Sequence, residues 1–176
     1  PHMDETYDND AFKTAVNNRA FRLSIVYGID RVKAMSCYDP YSPEEYLMNT
    51  ITPPNFVAVD GKDYTMTGEL EAVTEQNWFQ PETALRYKEQ AMAELSAQGV
   101  TFPLVFPYYY RVDQANQDLV AQVIEQQLEE LIGKDYIDIV PVAGPANTYN
   151  SEVRNAGKYG LMEEGWGPDF ADPVTY

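Results

Sequence analysis

FPLVFPYYYRVDQANQDLVAQVIEQQLEELIGKDYIDIVPV, residues 102–142, decides the fold. Phe102 to Tyr110 is an apolar and aromatic run of strand character. Pro103 and Pro107 lack the N–H that a central ladder uses, so this strand is expected to be frayed or interrupted. From about Asn116 to Ile132 the apolar residues Val120, Val123, Ile124, Leu128, Leu131 and Ile132 fall at helical spacing, and Gly133 ends the pattern. Tyr136 to Val142 then alternates with period two. Strand, long helix and strand make a βαβ unit, whose right-handed crossover gives parallel strands.

Downstream, Thr148 to Lys158 reads as helical or coiled, and Tyr159 to Glu163 as a short strand. Upstream, Pro81 opens a helix in which Ala84, Leu85, Lys88, Ala91, Met92 and Leu95 follow helical spacing, and Gly99 stops it. Phe56 to Trp78 is irregular, with Gly61 and Gly68 as turn signals. Ser42 and Pro43 begin a short helical piece that ends before Thr52-Pro53-Pro54. One helix is expected from Asn18 to Met35, capped by Asn17 or Asn18, with Gly28 as a point of close packing. Residues Asp4 to Phe12 read as a loose, acidic lead-in. Pro1-His2-Met3 looks like a cloning remnant, leaving residues 4–176 as a single domain. The fold class is α/β: a small mixed or parallel sheet flanked by helices.

Totals narrow the function. The 176 residues are 44% hydrophobic and 23% charged, as in globular domains, so this is not a disordered tail. A net charge of −16 argues against nucleic acid and against anionic membranes as partners. The only histidine is His2 and the only cysteine Cys37, which excludes a Ser/His/Asp or Cys/His triad, a Cys/His zinc site and an internal disulfide. No apolar run has transmembrane length. No catalytic residue, cofactor or metal is assigned. Glu163, Glu164, Asp169 and Asp172 do not form a calcium loop, and adjacent acids on a strand point to opposite faces. Arg19, Arg22, Arg31 and Asp30 are expected to make solvent contacts or intramolecular ion pairs.

The closing segment Glu164-Gly165-Trp166-Gly167-Pro168-Asp169-Phe170-Ala171-Asp172-Pro173 carries the candidate site. Glycine and proline set a tight path, Trp166 offers a flat apolar face with one N–H donor, and Asp169 is held between a proline and an aromatic. Such a turn suits capture of a cationic group. It follows the last strand, where ligands of parallel α/β sheets bind. Read alone, Asp169 is better suited to capping its own turn.

The segment also resembles the G-W-x-x-D-[YF]-x-[DE]-P turn of the oligopeptide-binding, or family 5 solute-binding, proteins of ABC importers. Asn18 to Arg31, NRAFRLSIVYGIDR, is similar to their N-x-x-[FV]-R-x-[AS]-[LI]-x-[YF]-[AG]-I-[DN]-R helix. Thr52-Pro53-Pro54, the helix from Pro81 with the strand Phe102-Pro103-Leu104-Val105, and Gln126-Gln127-Leu128 with Ile132-Gly133 match in the same order. The resemblance spans about residues 17 to 175. It implies part of the C-terminal lobe of a two-lobed, periplasmic-binding-protein-like (type II) fold, outside the cytoplasm, in a cell-surface lipoprotein or a periplasmic protein. It implies a peptide ligand and a membrane permease as partners. It assigns Asp169 to the ligand's α-amine, with Trp166, Gly165, Gly167 and Phe170 around it. Pro168 and Phe170 depart from the small residue and the tyrosine common there. The rivals are another solute on the same fold (dipeptide, oligosaccharide or nickel complex), a carboxylate-dependent hydrolase, and a signalling receptor for peptides.

Overall fold

A computed structural model describes residues 2–165, 167–170 and 172–175, the last by its backbone only. The helices are α1 (Asn9–Asn17), α2 (Arg19–Gly28), α3 (Arg31–Met35), α4 (Leu70–Thr74), α5 (Pro81–Ser96) and α6 (Gln117–Leu128). The strands are β1 (Ala58–Val59), β2 (Lys62–Asp63), β3 (Leu104–Arg111), β4 (Ile137–Gly144) and β5 (Leu161–Met162). β1 and β2 form a small antiparallel hairpin, while β3 lies between β4 and β5 in a parallel sheet. The α/β reading, with a small parallel sheet and covering helices, is what the chain adopts. Among the described residues, no helix is long and apolar enough to cross a membrane.

Contrary to expectation, β3 is not frayed or interrupted along β4: it pairs without a break from Leu104↔Ile137 to Arg111↔Gly144. In a parallel ladder a residue turns its N–H and C=O to the same neighbour. The Pro107 carbonyl accepts from the Gly160 N–H at 3.0 Å, so its nitrogen faces the β5 side. Pairing there begins only at Tyr108↔Leu161. The missing donor therefore leaves no gap in the ladder. Gly160 is required where it stands, since a Cβ there would come within 2.8 Å of the Phe106 side chain.

Two further differences lie in the helices. The lead-in is partly helical: Asp8 caps α1 by accepting from the Ala11 N–H at 2.9 Å, and Phe12 and Ala15 are buried beneath it. The helix expected over Asn18 to Met35 is two. Asn18 caps α2, and Asp30 caps α3 by accepting from the Lys33 N–H at 3.1 Å. The break between them is stitched to α6, where the Gln127 side-chain oxygen accepts from the Asp30 N–H at 3.0 Å. Gly28 does mark close packing, since a Cβ there would meet Leu128 at 2.9 Å. Met3, set aside in the sequence reading, is buried in the core. Leu85, placed on the apolar stripe of α5, is exposed, and Ala84, Ala91 and Leu95 form the buried face.

Arg22 and Arg31 donate to backbone and amide oxygens rather than to acids: Arg22 to the Val16 carbonyl, Arg31 to the Met48 carbonyl and the Asn49 side chain. Asn49 in turn donates to the carbonyls of Thr74 and Gln76 at 2.8 Å, tying the 36–80 excursion to the base of α3.

The core is aromatic. Phe106 sits 4.8 Å from Phe12, and Phe21 is 5.9 Å from Tyr136. Ser24 donates to the Phe21 carbonyl, so the Tyr136 hydroxyl, 3.1 Å away, donates to Ser24. Burial pushes the Tyr136 hydroxyl up to about 12, although Ser24 pulls the other way. Burial, with Glu164 next, likewise pushes Tyr149 up to about 12. An unfolded tyrosine ionises near 10, so these two contributions are fully present below about pH 10. Above it the unfolded chain releases protons that the folded chain retains, and stability is lost as pH rises to about 12. Urea midpoints measured across that window are expected to fall with pH, and to fall less steeply in Tyr136→Phe. An identical slope in the variant contradicts this.

Candidate functional site

All three parallel strands end on one side of the sheet, and the closing segment leaves β5 on that side. Gly165, Gly167, Pro168, Asp169 and Phe170 are exposed, Phe170 at 58%. Trp166, suited by sequence both to core packing and to a pocket wall, lies outside the described residues. A Cβ at Gly165 or Gly167 would meet no atom within 4 Å, and neither has a positive φ. These glycines are not demanded by crowding or by turn geometry within this chain. What their small size does leave is open backbone. Asp172 accepts from the Val174 N–H at 2.9 Å and closes its own turn.

The two acids that precede the turn are engaged by different elements. The Tyr38 hydroxyl donates to both oxygens of Glu163, at 3.0 and 2.8 Å. Arg154 pairs with Glu164 at 3.4 Å, from the wide helical turn Asn150–Arg154. Burial first, then the bond to Glu163, pushes the Tyr38 hydroxyl well above the ordinary tyrosine range. Beside them, Arg111 grips Asp113 through two nitrogens at 3.2 and 3.0 Å and lies 5.3 Å from the Tyr149 ring centre. Tyr149 donates to the Tyr109 carbonyl at 3.0 Å. The rim is thus a set of paired charges and satisfied hydroxyls, not a pair of convergent carboxylates.

Two concavities flank the segment that follows the turn. One, of about 420 Å³, is lined by Asn49, Ile51, Thr52, Tyr64, Val73 and Pro173, among others. The other, of about 540 Å³, is lined by Val57, Val59, Tyr64, Asp172, Pro173 and Val174. Tyr64 and Pro173 belong to both, so these hollows adjoin each other beneath the end of the chain. Nothing in the sequence paired the hairpin region with Pro173, which lies far from it along the chain.

Burial, then the Asp118 charge, pushes the Cys37 thiol up, away from the reactive thiolate. Among the described residues no group of three or more His, Cys, Asp or Glu side chains is arranged to hold a metal ion.

Residues 4–176 match the family described as bacterial extracellular solute-binding proteins, family 5 Middle. Among curated proteins, the chain is 33% identical to the oligopeptide-binding protein AliA and 29% identical to the oligopeptide-binding protein AliB, both of Streptococcus pneumoniae. The matches cover 93% and 92% of this chain but 28% of each relative, so it spans little more than a quarter of their length. Among solved structures, it is similar to the substrate-binding domain of an oligopeptide ABC transporter from Bacillus anthracis. That match has a TM-score of 0.72 and 20% identity, over 92% of this chain and 29% of the other.

Proposed function

Because this chain belongs to the family 5 bacterial extracellular solute-binding proteins, we propose that it forms part of the C-terminal lobe of a two-lobed protein that binds oligopeptides outside the cytoplasm. The whole protein closes its lobes over the ligand about a hinge. It then delivers the peptide to the membrane permease of an ABC importer, working as a cell-surface lipoprotein or a periplasmic protein. In this reading Asp169 meets the peptide's N-terminal ammonium, with Trp166 and Phe170 beside it. Gly165 and Gly167 leave the backbone open to an extended ligand.

The observation that carries the reading is the exposed turn at the carboxyl end of a parallel sheet, where Gly165 and Gly167 leave the backbone uncrowded on either side of the approach to the exposed Asp169. A charge-assisted bond to an ammonium is strong once lobe closure excludes water. Main-chain hydrogen bonds along the peptide add affinity without reading its side chains. Glu163 and Glu164 answer to separate partners, which counts against their serving as a hydrolase's pair of acids.

Calorimetric titration of the full-length protein with a short peptide and its N-acetylated twin tests the proposal. The unblocked peptide is expected to bind at least tenfold more tightly, roughly the loss of one charged hydrogen bond. Equal affinity for the two, or tight binding of an oligosaccharide or nickel complex with none of peptide, contradicts it.

A further inference from the structure

Glu163 and Glu164 follow directly on β5 and are engaged by different elements. Tyr38 reaches Glu163 from the turn after α3, a turn closed by the Tyr38 N–H on the Met35 carbonyl at 2.9 Å. Arg154 holds Glu164 from the connection between β4 and β5. The Tyr38–Glu163 bond spans 125 positions of sequence and is partly buried, whereas the Arg154–Glu164 pair is more open to solvent. A partly buried bond from a hydroxyl to a charged carboxylate is the stronger restraint. Beyond it, no side-chain crowding holds Gly165 or Gly167. The chain is therefore anchored at Glu163 and Glu164 just before it enters the turn.

We propose that Tyr38 is a positioning residue for ligand binding: its hydroxyl fixes Glu163, and through Glu163 the path by which the chain enters the turn that carries Asp169. The proposal rests on the reading of Asp169 as the ammonium site. It assigns a role to a residue remote from the turn in sequence, and it makes Glu163 an anchor rather than a ligand contact or a catalytic acid. Misplacing a binding group by a fraction of an ångström weakens a charge-assisted bond without unfolding anything around it.

A double-mutant cycle in the full-length protein tests this, with Kd for a short unblocked peptide and the urea midpoint measured for each variant. Tyr38→Phe is expected to weaken binding about tenfold, with the urea midpoint within error of wild type. In the Asp169→Asn background the same change is expected to cost nothing further, because the group it positions is gone. Glu163→Gln keeps an acceptor for the Tyr38 hydroxyl and should hold affinity within about threefold, while Glu163→Leu should match Tyr38→Phe. Losses that add in the double variant, or that track a falling midpoint, overturn the proposal and leave Tyr38 a structural strut. An effect of Asp169→Asn with none from Tyr38→Phe overturns this proposal alone. No effect of Asp169→Asn overturns the ammonium reading and this proposal together.

Discussion

Asp169→Asn in the full-length protein is expected to weaken binding of an unblocked peptide by about 2–5 kcal/mol, or roughly thirty-fold to several-thousand-fold in Kd. The substitution preserves shape and one acceptor oxygen but removes the charge. In a closed cleft the ligand's ammonium would then be desolvated with no counter-ion, and that penalty dominates the loss. An N-acetylated peptide has no ammonium to lose, so its affinity should change little. A pH series gives the same answer by another route. A free peptide amine titrates near 8, so wild-type affinity should fall as pH rises past about 8, when the ligand loses its charge. Asparagine at 169 should flatten that dependence. Calorimetry on both proteins with both peptides checks all of this, and unchanged affinity in the variant removes Asp169 from the role.

The second large effect is on stability. Phe106→Ala is expected to cost about 3–5 kcal/mol, a large part of an ordinary domain's net stability. Phe106 is fully buried in β3, the strand that touches both others, with the Phe12 ring 4.8 Å away and Gly160 pressed against its side chain. Neither neighbour can collapse into the space without moving: Phe12 is held by capped α1, and Gly160 is tied to Pro107 by its hydrogen bond. The cavity term therefore adds to the lost transfer energy. Urea unfolding should show a lower midpoint with an unchanged m-value. A loss below about 1 kcal/mol would mean that β3 is not the keystone described.

What could be read from the sequence divides by range. The βαβ unit was legible because its periods are local: the stripe of α6 and the alternation of β4 need only their own residues. The centrality of β3 was not. Pro107 counts against a central strand unless one knows which neighbour its nitrogen faces, and that is fixed by Gly160, which lies in another segment. Helix α1 carried a usable sign, Asp8 followed three residues later by a donor and then Phe12 and Ala15, but its polar surface masked it. The break after Gly28 was signalled by Asp30, a good cap placed inside an otherwise continuous apolar pattern.

The candidate site was legible in its residue types and not in its setting. The order Gly165-Trp166-Gly167-Pro168-Asp169-Phe170 announces a turn bearing a carboxylate. That Tyr38 bonds Glu163 and Arg154 pairs with Glu164 was not legible, because sequence alone does not pair such groups across the fold. The hollow between the hairpin region and Pro173 is a tertiary product of the same kind.

The most direct measurement is a crystal structure of the full-length protein with a short unblocked peptide bound. The account predicts the peptide's terminal nitrogen about 3 Å from an Asp169 carboxylate oxygen, with the Tyr38–Glu163 bond intact beneath the turn. A bound peptide whose amine is held elsewhere, with Asp169 turned away from the cleft, would contradict it.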